Sequence, residues 1–116
     1  MIERLFQLLF WSALGFAFVL ASLPQPPPLP GEPSDKVLHV LAFLVLACLA
    51  AFAYPRIHLI VIFLGLALFG GAIEVVQAVP ELGRDPSWLD WLADVVAAGA
   101  VLLSVGAMRF LRRSAQ

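Results

Sequence analysis

Four apolar runs separated by three proline-bearing breaks make up the chain. The first, residues 5–23, has almost no polar interruption and is long enough to cross a hydrocarbon core of about 30 Å. Residues 24–34 follow, with prolines at 24, 26, 27, 28, 30 and 33. Proline lacks the backbone donor and restricts the residue before it, so this stretch predicts an extended connection near polyproline II. A spacer between two spans explains it better than a peptide-recognition element. Ser34 predicts a helix cap, and Asp35 suits the first turn of the helix it opens. The second span is expected over 36–54, ended by Pro55-Arg56, and the third over 58–79, closed by Pro80. A polar turn at Arg84, Asp85, Pro86 and Ser87 leads into the fourth, over 88–110.

The first run has a competing reading as a cleaved leader, with Val19-Leu20-Ala21 as the cleavage site. Glu3 beside Arg4 argues against it, and the run exceeds the usual hydrophobic region of about 7–15 residues. A retained first span is therefore expected.

Composition decides which solvent the runs face. Of 116 residues, 62% are hydrophobic and 13% charged, against about 45–50% and about 25% for soluble domains. A single domain of this length cannot bury that much apolar surface, so lipid must cover it. The net charge of −1 offers nothing to nucleic acid. One cysteine, Cys48, excludes an intrachain disulfide or a zinc set and reads as a buried bystander thiol. No internal repeat is visible. The expected fold is all-α: one domain over 1–116, an integral four-helix antiparallel transmembrane bundle.

Lys and Arg orient it. With both termini cytoplasmic, Arg4, Arg56, Arg109, Arg112 and Arg113 lie inside, and Lys36 and Arg84 lie outside. The proline-rich segment and the Arg84 turn then face outward, and Trp88 and Trp91 fall at an outer aromatic belt.

Topology turns scattered polar residues into a layer. Asp35, Lys36 and His39 open the second span, Glu74 and Gln77 end the third, and Arg84, Asp85, Ser87, Asp90 and Asp94 open the fourth. Their depths agree to within a turn, roughly 6–10 Å at 1.5 Å per residue. Asp35 and His39, and Asp90 and Asp94, are four apart, and Glu74 and Gln77 three apart, so each pair shares a stripe. Gly70, Gly71, Ala97, Ala98 and Gly99 permit close helix approach just beneath. The spacing of Ala67 and Gly71 suits a helix contact within the chain or between copies, which leaves the oligomeric state open. Ionisable residues inside a span are costly, and the inner halves carry almost none, which argues for a site and against a conduction path.

Three uses of that layer follow. In the first, Lys36, Arg84 and His39 neutralise Asp35, Glu74, Asp90 and Asp94 as an ion-pair staple. In the second, Asp35, Lys36, His39, Glu74, Gln77, Arg84, Ser87, Asp90 and Asp94 bind an amphiphile from the outer leaflet. Arg84 then holds an anionic headgroup, and His39, Glu74, Asp90 and Asp94 are the candidates for acid–base catalysis. In the third, His39, Glu74, Asp90 and Asp94 ligate magnesium, calcium or manganese. A lone histidine without ligand spacing makes the expectation no metal and no cofactor, with the divalent cation as the lesser alternative. His58, Glu32 and Glu81 carry no expected chemistry.

The pieces Asp35-Lys36-Val37-Leu38-His39 with Phe43, Glu74-Val75-Val76-Gln77, and Gly83-Arg84 with Ser87, Asp90 and Asp94 run in order over residues 35–100. In order, spacing and placement they resemble the VanZ-like family of small bacterial membrane proteins. Where that family has Asn then Gly in its fourth span, this chain has Asp94 with Ala98 and Gly99. The resemblance implies a multi-pass protein of the bacterial inner membrane and cell envelope. The family's namesake is associated with teicoplanin resistance. The function expected is binding of a membrane lipid, a lipid-linked envelope precursor or a lipoglycopeptide. The alternatives are a membrane-embedded hydrolase or transferase acting on a lipid headgroup or envelope precursor, and a structural partner in an envelope complex.

Overall fold

The computed structural model describes residues 1–24, 35–83 and 87–115, the side chains of Asp35 and Lys36 excepted. The described residues are all-helical: α1 (Ile2–Ser22), α2 (Asp35–Ala53), α3 (Leu59–Gln77) and α4 (Trp88–Ala115), with a 3-10 turn at Pro80–Leu82 between α3 and α4. The proline-rich expectation for 25–34, the Ser34 cap, and the expectations for Arg84, Asp85 and Pro86 lie outside the described residues.

Three helices, α1, α3 and α4, are long and apolar enough to cross a membrane. The described apolar part of α2, Val37–Ala53, is shorter. The nineteen residues of α3 span about 28 Å at 1.5 Å per residue, close to one hydrocarbon core. Boundaries moved modestly against expectation. Helix α1 starts at Ile2 rather than near 5, and α3 stops at Gln77, two residues before Val79. Helix α4 continues to Ala115, well beyond Phe110. Leu111, Arg112 and Arg113 are good helix formers, and cations in the last turn suit the dipole there.

Local chemistry sets the breaks. His58, expected to have no role, caps α3: its Nδ1 accepts a hydrogen bond from the Ile60 N–H at 3.1 Å. Gly83 ends the 3-10 turn at φ 61, a left-handed conformation in which a Cβ is penalised.

Named contacts fix the relative directions. Gln7 of α1 meets Ala53 at the end of α2, so those two run oppositely. His39 and Asp94 lie near the starts of α2 and α4, and Arg109 reaches Ala51 at their far ends, so α2 and α4 run in parallel. Gln77 at the end of α3 reaches Ala21 at the end of α1, so these also run in parallel. Helix α4 packs on both α2 and α3, and α1 packs on α2 and α3.

The interior is built largely from small residues. Ala47, Ala50, Ala51, Ala97 and Ala98 are buried and let Phe43, Leu46, Leu66 and Leu102 close the seams. Apolar residues also cover the outside, including Leu41, Val45, Phe52, Val61, Leu64, Leu68 and Leu103. Cys48 corrects the sequence reading: it is exposed, not buried. It sits on the outward stripe of α2 with Leu41, Val45 and Phe52, at steps of three and four residues.

Candidate functional site

Three helices converge at the His39 end. His39 lies one turn into α2, Glu74 in the last turn of α3, and Asp94 two turns into α4. His39 Nδ1 stands 3.6 Å from Asp94 Oδ2, an electrostatic contact longer than a direct hydrogen bond. Asp94 is fully buried, and the His39 side chain is 12% exposed. One donor atom from each of His39, Glu74 and Asp94 lies within 4.8 Å of the other two.

Glu74 couples this cluster to the start of α4. Its Oε2 accepts the backbone N–H of Ser87 at 3.1 Å, and the Ser87 hydroxyl oxygen accepts the N–H of Leu89 at 3.2 Å. Ser87 is thus an N-cap held by α3, and the carboxylate sits where the dipole of α4 favours an anion. The second carboxylate oxygen, Oε1, is buried and has no hydrogen-bond partner among the described residues.

Trp91 forms a wall beside the cluster. Its indole N–H donates to the Ala67 carbonyl at 2.9 Å, across the helix seam. Glycine at position 70 makes that approach affordable: a Cβ there would stand 3.2 Å from Phe43 Cζ and 3.4 Å from Trp91 Cδ1. The expectation of an aromatic belt therefore fits Trp88, which is 70% exposed, but not the half-buried, hydrogen-bonded Trp91. Between these elements lies an open cleft of about 290 Å³, lined by Gly71, Glu74, Ser87, Trp88 and Trp91.

The sequence-predicted residues divide. His39, Glu74 and Asp94 come together, and Ser87 joins them through Glu74. Gln77 is 3% exposed and donates to the Ala21 carbonyl at 3.1 Å, so it fastens α1. Asp90 is half-buried and outside the three-residue group. Asp35 and Lys36 begin α2, with side chains outside the description, and Arg84 lies outside the described residues. The sequence reading missed Trp91 as a wall of the cleft. The signal was there: an indole donor must find an acceptor when buried, and Gly70-Gly71 offers a bare stretch of α3.

Chemically, the cluster can hold a proton between imidazole and carboxylate, accept donors from a ligand, or surround a cation. Comparison with family models, with curated proteins and with solved structures found no match.

Proposed function

We propose that the protein is a four-span member of the VanZ-like family in the bacterial inner membrane, with both termini cytoplasmic. Its outward-facing polar pocket binds a lipid-like or cell-envelope ligand. One observation carries this reading: His39, Glu74 and Asp94, from three different helices, converge beside a cleft with an exposed tryptophan at its rim. Ionisable groups in a span are costly, and a ligand is a reason to keep them. The cleft supplies an apolar wall for a chain and a carboxylate for a headgroup donor, the mixture small-molecule sites present. The bias of Arg4, Arg56, Arg109, Arg112 and Arg113 supports the orientation.

Lipid retained by the purified chain in native mass spectrometry tests the pocket. The wild type keeps a stoichiometric amphiphile, and Trp88→Ala with Trp91→Phe loses most of it. Equal retention in both proteins removes the reading. Reporter fusions at the C-terminus and at Glu81 test the topology independently.

A second reading, a hydrolase or transferase on a lipid headgroup or lipid-linked precursor, draws on the His39–Asp94 contact. A buried carboxylate orients an imidazole so that its other nitrogen can move a proton. Release of a headgroup from lipid substrate by the wild type, abolished in His39→Gln, is the outcome this reading requires.

A further inference from the structure

We propose that His39, Glu74 and Asp94 form a divalent-cation site that joins α2, α3 and α4. The site is independent of the lipid reading and stands or falls on the metal alone. The polar layer offers one histidine, His39, and no ligand spacing, and spacing along a chain cannot reveal ligands brought together from three helices. The structure supplies what spacing could not. An imidazole nitrogen and two carboxylate oxygens lie within 4.8 Å of one another. Two ligands on opposite sides of an ion stand about 4.1 Å apart around magnesium and about 4.6–5.2 Å apart around calcium. The donor atoms therefore outline a coordination sphere without a large rearrangement.

Three further features fit a cation. Glu74 divides its labour: Oε2 is held by the Ser87 N–H, while Oε1 is buried with no hydrogen-bond partner among the described residues. A ligating carboxylate fastened through its second oxygen is the outer-shell arrangement that metal sites use. Two carboxylates and an imidazole are donor types that divalent ions take. The cleft of about 290 Å³ has Glu74 in its lining, so the cluster borders open space. The carboxylates favour magnesium, calcium or manganese, and the imidazole moves the preference toward the transition metals. Manganese satisfies both and reports on its own ligands.

The test uses the purified full chain in detergent, stripped of metal and titrated with Mn²⁺ alone. The expected result is one saturable Mn²⁺ per chain, with an electron-spin signal carrying nitrogen coupling from an imidazole. That coupling disappears in His39→Gln. Affinity falls at least roughly tenfold in His39→Gln and in Glu74→Gln. Glu81→Gln, at an exposed acid away from the cluster, leaves affinity unchanged. Should His39→Gln fail to fold, His58→Gln, which leaves the coupling in place, makes the same assignment. No saturable binding at millimolar Mn²⁺, or binding without nitrogen coupling, overturns the proposal. So does coupling that survives in His39→Gln, which would point to His58, or affinity that ignores Glu74→Gln.

Discussion

The two ends of the helical assembly differ in what their polar side chains meet. At the Arg109 end they fasten backbone. Gln7 Nε2 donates to the Ala53 carbonyl at 3.1 Å, and Arg109 Nη2 donates to the Ala51 carbonyl at 3.0 Å. Both acceptors belong to the last turn of α2, whose carbonyls have no intrahelical donor. Trp11 adds a 2.7 Å hydrogen bond from its indole to the Tyr54 hydroxyl. Each of these side chains answers a need of the fold. At the His39 end Gln77 likewise fastens the Ala21 carbonyl, but His39, Glu74 and Asp94 also approach each other from three helices. The difference separates polar residues that only fasten backbone from ionisable residues that meet one another.

Substitutions at each end should therefore move different observables. The largest effect is expected for Asp94→Asn, which weakens Mn²⁺ binding about a hundredfold, or about 2.8 kcal/mol. Its melting temperature in the absence of metal should hold or rise, because groups kept for binding are commonly destabilising. Arg109→Ala comes next. It should cost about 2 kcal/mol of stability, the range for hydrogen bonds from charged groups, and leave Mn²⁺ affinity intact. A loss of Mn²⁺ binding in Arg109→Ala would erase the distinction between the ends.

Gly70→Ala sharpens the comparison at the wall of the cleft. The added Cβ meets Phe43 Cζ at 3.2 Å, so the ring or Trp91 must yield. Overpacking of this kind costs about 1–2 kcal/mol, and the displaced indole should shift the tryptophan emission. The smallest effect is expected for Gln7→Leu, about 1 kcal/mol in thermal unfolding, with the cleft and cluster untouched.

Much of the fold was legible because apolar run length and proline placement are strong signals in so apolar a chain. Pro55 and Pro80 both fall just beyond helix ends. Which face of each helix turns inward was less legible. Beyond His39, helix α2 is apolar all round, so hydropathy alone could not place Cys48, and burial was assigned where exposure is found. Small residues carried the missing information: Ala47, Ala50 and Ala51 mark the inward face of α2.

The same logic applies to the site. The layer containing His39, Glu74 and Asp94 followed from helix direction and depth, because both are set by chain order. Shared stripes were a weaker guide. Gln77 lies three residues from Glu74, yet its amide reaches Ala21, fifty-six positions away in sequence. The orphan carbonyl at the end of α1 drew it there, and nothing near Gln77 in the chain announces that acceptor. Trp91 followed Ala67 and Gly70 for a similar reason, since its partner lies on another helix.

Native mass spectrometry of the purified wild type beside Glu74→Gln and Arg109→Ala decides whether the His39 end holds a ligand. A cation or amphiphile is expected on the wild type, kept in Arg109→Ala and lost in Glu74→Gln. A bare wild-type chain, or an adduct that Glu74→Gln retains in full, would contradict it.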